Sequence, residues 1–275
     1  MIYVFSDIDG TMYPLKANPT KETVEYISKL RSGNDNLKKV NVILTTGNPF
    51  TPKMRRICKL LNLRYFIGSG GAAIYDFDID AFINIKIIDS SSIKKLFEVA
   101  LKYNLTLYYG SRWQLYRYNA NEKFKEFIND HTETVDSDWD ESGNIDIDID
   151  KFEIWGENRD IVNKCAKEIQ SLELPINFVN MGDSHLEITA KDINKAQAIK
   201  WICKNVFDVC VQDVMGIGDS NNDLEMLATV GYSYAMANGN DAVKSIAKYH
   251  TCDVLQEGLV MAIKDFRLRR AQFTE

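Results

Sequence analysis

Long apolar runs are missing from this chain of 275 residues. No stretch approaches the roughly 20 apolar residues of a membrane-crossing helix, so no membrane partner is expected. Basic residues are not in excess: the formal net charge is −6 and no Lys/Arg stripe stands out, which argues against nucleic acid as a partner. The short run Arg267-Leu268-Arg269-Arg270 reads as a solvated helix face. Five scattered cysteines (Cys58, Cys165, Cys203, Cys210, Cys252) form no Cys-x-x-Cys pair. They read as reduced thiols, and a cytoplasmic location is expected. No signal peptide is expected, because Asp7 and Asp9 interrupt the first apolar run and no basic region precedes it. Repeats and low-complexity linkers are absent. What remains is 45% hydrophobic, enough for one large domain or two smaller ones.

The most informative segment is Asp7-Ile8-Asp9-Gly10-Thr11, directly after Ile2-Tyr3-Val4-Phe5. A short apolar run ending in acids reads as a buried parallel strand that delivers them to its C-terminal lip, where open α/β sheets bind ligands. Residues one and three of an extended segment point the same way. Asp7 and Asp9 therefore crowd one site, and adjacent carboxylates repel unless a cation or proton sits between them. The pair predicts a metal, or a nucleophile beside a general acid.

Strand and helix alternate around this motif. Thr20 is placed to cap a helix with Val24, Ile27 and Leu30 on one face, ending near Gly33. Val40 to Leu44 form the next strand, broken at Thr45-Thr46-Gly47-Asn48-Pro49. A helix with Met54, Ile57 and Leu61 inward follows, then Tyr65-Phe66-Ile67 and a turn at Gly68-Ser69-Gly70-Gly71. No clear helix opens after that turn, so it does not read as a dinucleotide loop. Val214 to Ile217 form another strand, ending at Gly218-Asp219-Ser220-Asn221-Asn222-Asp223, and a helix starts at Leu224. This is the signature of a doubly wound α/β domain.

Between these halves the texture changes. Strand-like runs appear at Thr106 to Tyr109, Leu115 to Tyr118, Ile145 to Phe152 (strict apolar/acid alternation) and Ile176 to Val179. Helical stretches lie at Ile93 to Leu101 and Ile161 to Leu172. Period-two alternation implies an antiparallel sheet with one wet face. The expected architecture is a doubly wound, Rossmann-like core over 1–80 and 187–275, interrupted by an α+β domain over 81–186.

Four separated segments together carry chemistry. Asp7 offers a nucleophile, Asp9 a proton donor and acceptor, Thr46 a hydroxyl, Lys195 a fixed positive charge, and Asp219 and Asp223 hard oxygen ligands. Carboxylates with few His or Cys partners favour Mg2+ over zinc. A phosphoryl group entering this acidic lip needs Mg2+ and Lys195 to reverse the field, since one charge pair at about 4 Å is worth about 4 kcal/mol at a dielectric near 20.

The chain resembles the phosphatases of the haloacid dehalogenase (HAD) superfamily, in the Cof-like group with a type IIB cap. Asp7-x-Asp9-Gly10-Thr11, Thr46-Gly47, Lys195 and Gly218-Asp219-x-x-Asn222-Asp223 match its four motifs in order. The likeness continues through Ala235-Met236-Ala237-Asn238-Gly239, Asp241-Ala242-Val243-Lys244 and Glu257-Gly258-Leu259. The resemblance implies a HAD core with an inserted cap and a Mg2+-dependent hydrolase acting on small soluble phosphomonoesters such as sugar phosphates. It implies Asp7 as nucleophile, forming an aspartyl-phosphate, and Asp9 as the acid and base. Mg2+ falls to Asp7, the Asp9 carbonyl, Asp219 and Asp223. Phosphate falls to Gly10, Thr11, Thr46, Gly47, Lys195 and Asn222, the first two through backbone N–H groups. An acid two residues beyond the nucleophile suits ester hydrolysis, whereas the family's ion pumps carry Thr there.

Two positions depart from the family pattern. Asn48 replaces the usual Arg and removes a bidentate phosphate or substrate fork, and Ala196 replaces the usual Gly. The middle domain is expected to close over the lip, with Tyr108, Tyr109, Arg112, Trp113 and Tyr116 as specificity candidates or sheet packing. Asp136 to Asp140 mimics a calcium loop, but counting from Asp138 position twelve is Ile149, so it reads as a solvated hairpin. Of the isolated His131, His185 and His250, His185 lies near the return to the core. A phosphosugar mutase and a non-catalytic ligand-binding protein stay open as alternatives. The expected partner is a small phosphorylated metabolite, and the protein is expected to be a monomer or small homo-oligomer.

Overall fold

The computed structural model describes residues 1–15, 17–31, 39–129, 134–136, 147–181 and 185–272. Its strands are β1 (Ile2–Ser6), β2 (Val40–Thr45), β3 (Tyr65–Gly68), β4 (Ala73–Asp76), β5 (Ala81–Ile85), β6 (Thr106–Ser111) and β7 (Gln114–Tyr118). There follow β8 (Thr134–Asp136), β9 (Lys151–Trp155), β10 (Ile176–Asn180), β11 (His185–Ala190), β12 (Met215–Gly218), β13 (Tyr232–Ala235) and β14 (Tyr249–His250). Among the described residues they form two sheets, ordered β14-β13-β12-β1-β2-β3-β4-β5 and β10-β11-β9-β6-β7-β8.

The first sheet is the doubly wound core. From β14 to β3 its strands run parallel, and the hairpin of β4 and β5 closes one edge antiparallel. β2 and β12 are buried throughout because helices cover both faces. On one face Met54, Ile57, Leu259, Ile263 and Phe266 pack against Val4 and Val42. On the other, Ile199, Ile202, Met226 and Leu227 pack against Phe5 and Ile43. Thr20 caps the helix Lys21–Leu30 by accepting from the Thr23 amide, and that helix buries Thr23, Ile27 and Leu30. Burying one such aliphatic side chain stabilises by about 1.5–3 kcal/mol.

The second sheet is antiparallel except for the parallel pair β7 and β8. Helices Ser90–Lys102 and Arg159–Ser171 cover one face through Leu96, Phe97, Val162 and Ile169 against Phe152, Ile154, Leu186 and Ile188. The other face looks onto the lip of the core.

Several expectations shift. The change of sheet falls after Ile85 and after Ala190, not at residues 81 and 187, because β5 joins the core sheet and β11 the second one. The strand expected from Ile145 is β9 and starts at Lys151; residues 147–150 are an irregular tether. In that tether Asp150 is buried, accepting from Ser69 Oγ at 2.8 Å and from the Arg112 amide at 2.7 Å. The basic run near the C-terminus is packed rather than solvated. Arg267 is buried, Arg269 pairs with Asp265 and lies over the Tyr249 ring, and Arg270 pairs with Asp213. All five cysteines are free thiols, three of them buried. No helix among the described residues is long and apolar enough to cross a membrane. His131 and the acidic stretch over 137–140 lie outside the described residues.

Candidate active site

Strand register brings the distant motifs together. In β1, Phe5 pairs with Gly216 of β12 and with Ile43 of β2, and Ser6 with Ile217 and Leu44. The residues that follow, Asp7, Asp219 and Thr46, therefore emerge side by side at one lip. The chain leaves β1 toward β2 on one side while β12 lies on the other, the topological switch at which such sheets bind ligands. Asp7, Asp9, Thr46, Gly47, Asn48, Asp219 and Asn222 all line one cavity of about 400 Å³ between core and cap.

Lys195 sits at the first turn of the helix Lys195–Ile202, whose N-cap Asn194 accepts from the Gln197 amide. Gly71 makes this approach possible: its φ is +109° and an added Cβ would stand 2.3 Å from the Asn194 carbonyl oxygen. The glycine-rich turn thus seats the lysine helix. The Lys195 Nζ donates to Asp7 Oδ1 at 2.6 Å, Asp223 Oδ1 at 2.7 Å and Asn222 Oδ1 at 3.1 Å. Burial opposes its charge, yet Asp223 and Asp7 outweigh burial and raise its pKa. Lys195 therefore stays protonated.

Asp223 is fully buried. Its Oδ2 accepts from the amides of Asp219 and Ser220, at 3.0 and 3.1 Å. With Lys195 on its other oxygen, Asp223 organises the Asp219 loop. Thr11 Oγ1 donates to Asp219 Oδ1 at 2.9 Å. Burial raises Asp7 well above the usual carboxylate range; Lys195 counters it, while Asp223 and Asp219 add to it. Burial, then Asp223, lift Asp219 from 3.8 to about 7.

Those elevated carboxyls indicate a site short of positive charge. Asp7, Asp9, Asp219 and Asp223 face one lysine. Oxygen atoms of Asp7, Asp219 and Asp223 lie within 4.8 Å of one another. This all-oxygen donor set fits a hard divalent cation, which would let Asp7 and Asp219 ionise together. The Asp9 carboxylate stands outside that group and accepts from Asn48 Nδ2 at 2.9 Å. Asn48 also donates through its backbone N–H to Thr46 Oγ1 at 3.1 Å. The residue that departs from the family pattern thus orients Asp9, a role the sequence did not suggest.

The Gly10 and Thr11 amides are engaged inside their own turn, donating to the Tyr13 carbonyl at 2.9 Å and the Ile8 carbonyl at 3.2 Å. They shape the loop, and Gly10 lines the cavity. Thr46 accepts from Asn48 at its hydroxyl oxygen, which leaves its own O–H to donate.

The cap supplies residues that sequence reasoning missed. Along β9 and β11 alternate residues face the cavity: Lys151, Glu153 and Trp155, then His185 and Glu187. Lys151 Nζ lies 2.6 Å from Glu153 Oε1 and 2.9 Å from Glu187 Oε1. Trp155 Nε1 donates to Glu153 Oε2 at 2.8 Å, and the His185 ring stacks on Trp155 at 3.9 Å. Asn222 Nδ2 donates to Glu187 Oε2 at 3.4 Å, tying core to cap. A Cβ on Gly47 would stand 2.8 Å from Glu187 Oε1, so the cap presses directly onto this loop. Burial opposes the Lys151 charge, but Glu153 and Glu187 outweigh it and raise its pKa. Burial also opposes the Glu187 charge, and Lys151 with His185 overcome it, to about 2. Burial lowers His185 although Glu153 and Glu187 counter it.

The aromatic candidates of the cap do not line the cavity. Tyr108 and Tyr109 are buried in packing, Tyr116 stacks on Tyr109, and Arg112 pairs with Asp148. Trp113 packs on Phe50, Tyr75 and Phe82 of the core. His250 is exposed, with its ring near the Lys244 carbonyl.

Comparison with known proteins agrees with this arrangement. The family model for haloacid dehalogenase-like hydrolases matches residues 4–263. The 5-amino-6-(5-phospho-D-ribitylamino)uracil phosphatase YcsE of Bacillus subtilis is 27% identical over 263 residues, covering 95% of this chain and 94% of that protein. The Mycoplasma genitalium protein MG265, named as a phosphatase, is 25% identical over 277 residues, covering 96% of this chain and 97% of its own. A solved HAD subclass IIB sugar phosphatase superimposes with a TM-score of 0.82 at 19% identity, covering 97% of this chain and 99% of that one. At that identity the likeness concerns the fold.

Proposed function

The chain belongs to the haloacid dehalogenase-like hydrolase family, and we propose that it is a Mg2+-dependent phosphatase of small soluble phosphomonoesters. The observation that carries this reading is that Asp7, Asp9 and Asp219 line one cavity, with Lys195 Nζ 2.6 Å from Asp7 Oδ1. The names of the Bacillus relative and of the subclass IIB structure support a polyhydroxylated leaving group, with sugar phosphates as the first class to test. Free thiols support a reducing, cytoplasmic setting.

Asp7 is the nucleophile: its carboxylate oxygen attacks phosphorus, the bond to the leaving oxygen breaks, and an aspartyl-phosphate forms. Asp9, held by Asn48, gives its proton to the leaving alkoxide. It then takes a proton from the water that attacks the aspartyl-phosphate and releases inorganic phosphate. Such proton transfer contributes about 10²–10⁴ in rate. Lys195 favours the ionised form of Asp7 against its burial, and Thr46 donates to a phosphoryl oxygen. Asp7, Asp219, Asp223 and the Asp9 carbonyl would hold a divalent cation, which when bound would supply the remaining positive charge for the transferring group. The closed cap excludes water from the intermediate until the leaving group departs.

Release of inorganic phosphate from a panel of sugar phosphates with Mg2+ tests the reading. Asp7→Asn is expected to lose turnover by roughly 10³-fold or more with an unchanged melt, since Lys195 keeps Asp223 as its partner. Residual activity within tenfold of the parent would refute the nucleophile assignment. Interconversion of hexose phosphates without phosphate release would favour a mutase.

A further inference from the structure

We propose that the Lys151, Glu153 and Glu187 cluster in the cap is the specificity element, selecting phosphomonoesters with an uncharged polyol leaving group and rejecting those that carry a second anion. The inference rests on the phosphatase reading and concerns the leaving group of the substrate.

Three features of the roof carry it. The first is charge. Lys151 is the cation among the described residues lining the cavity, and it is outnumbered by Glu153 and Glu187. Its Nζ is held between them at 2.6 and 2.9 Å, with the side chain only 2% exposed. A carboxylate or second phosphate on the leaving group reaches Lys151 only by lying against those two acids. His185 adds no compensating charge at neutral pH, because burial holds it below its ordinary value. Like charges forced together across a closed interface are strongly unfavourable.

The second feature is hydrogen-bonding character. The Trp155 indole N–H is already engaged by Glu153. The Glu187 oxygens accept from Lys151 and, at the long distance of 3.4 Å, from Asn222. Carboxylate oxygens have lone pairs beyond these contacts. The roof therefore offers acceptors, and matches hydroxyl or amine groups that donate. The third is position. Glu187 and Lys151 abut Gly47 of the core loop, where an added Cβ would meet them at 2.8 and 3.0 Å. The cluster thus faces the groups nearest the phosphate-bearing end, with Leu15, Leu115 and Met181 supplying apolar lining.

The test uses the matched pair glycerol 3-phosphate and 3-phosphoglycerate, which differ only in a CH2OH against a carboxylate separated from the phosphate-bearing carbon by a single CHOH, with p-nitrophenyl phosphate as a generic substrate. For the unmodified protein with Mg2+, kcat/KM for the alcohol is expected to exceed that for the acid at least tenfold, about 1.4 kcal/mol, mainly through KM. Glu187→Gln and Glu153→Gln are each expected to shrink that ratio at least threefold by improving the acid. Equal or inverted preference in the unmodified protein overturns the inference, and that measurement needs no variant to fold. An unchanged ratio in both variants, with melts that show them folded, also overturns it. Phosphate release from p-nitrophenyl phosphate together with equal use of the pair leaves the phosphatase reading standing and removes this one alone. No release from any of the three removes both.

Discussion

Metal binding at this site should be coupled to protons, and Asp219 sets the scale. Burial and Asp223 lift its carboxyl from 3.8 to about 7. A carboxyl with that value is about nine-tenths protonated at pH 6 and about one-tenth at pH 8, and only the ionised form is a ligand. The half-saturating Mg2+ concentration is therefore expected to rise about tenfold from pH 8 to pH 6. Asp7, raised in the same way, steepens the dependence.

The same shift has a sign for stability. The folded state holds this proton more tightly than the unfolded chain, so the contribution is fully present below about 3.8 and is lost as pH rises through about 7. The loss is on the order of 4 kcal/mol for the metal-free protein. Mg2+ offsets it by stabilising the ionised carboxylates, so its effect on Tm should be larger at pH 8 than at pH 6. The assay is thermal melting of EDTA-treated protein titrated with Mg2+ at both pH values, with Asp219→Asn as the control that shrinks the difference. Equal half-saturation at the two pH values, or tighter binding at pH 6, would refute the reasoning.

Two further perturbations test single contacts. Lys195→Met strands Asp7 and Asp223 without their buried cation, which should cost about 3–5 kcal/mol and lower Tm by about 10 °C in a chain of this size. A melt within 2 °C of the parent would contradict the pairing; turnover should vanish in either case. Asn48→Ala removes the donor to Asp9, a charge-assisted bond of about 1.5–3 kcal/mol. It should lower kcat about tenfold with KM little changed, and steady-state kinetics showing a KM effect alone would assign Asn48 to substrate binding instead.

The floor of the site was legible for a physical reason. Parallel strands buried on both faces appear as unbroken apolar runs, and β1, β2 and β12 each end in the residues that matter: Asp7, Thr46 and Asp219. The roof was not. Lys151 and Glu153 alternate with Phe152 and Ile154, and His185 and Glu187 with Leu186 and Ile188, which reads correctly as one polar face. Period two cannot say whether that face meets bulk water or a cavity, and here it meets the cavity. The alternation at Ile145 to Asp150 misled for the opposite reason. Its described acids Asp148 and Asp150 alternate because each has a partner, Arg112 for one, Ser69 and the Arg112 amide for the other. Hydrogen-bond bookkeeping inside a turn is also invisible to pattern. Nothing in Asp7 to Tyr13 announces that Tyr13 takes the Gly10 amide.

The two walls of the cavity carry the same sign of charge but answer differently to an anion, and the difference follows from what can neutralise each. On the floor Lys195 leaves an excess of carboxylate that a divalent ion can cancel, because Asp7 and Asp219 present oxygens within reach of one another. On the roof the excess acid is clamped on Lys151, and the partners of Glu153 and Glu187 are Trp155 and Asn222 instead of a converging donor set. A substrate with a single anionic end therefore has only one orientation in which its charge is met. Orientation of the phosphoryl group toward Asp7 follows from charge alone, before any shape recognition of the leaving group is invoked.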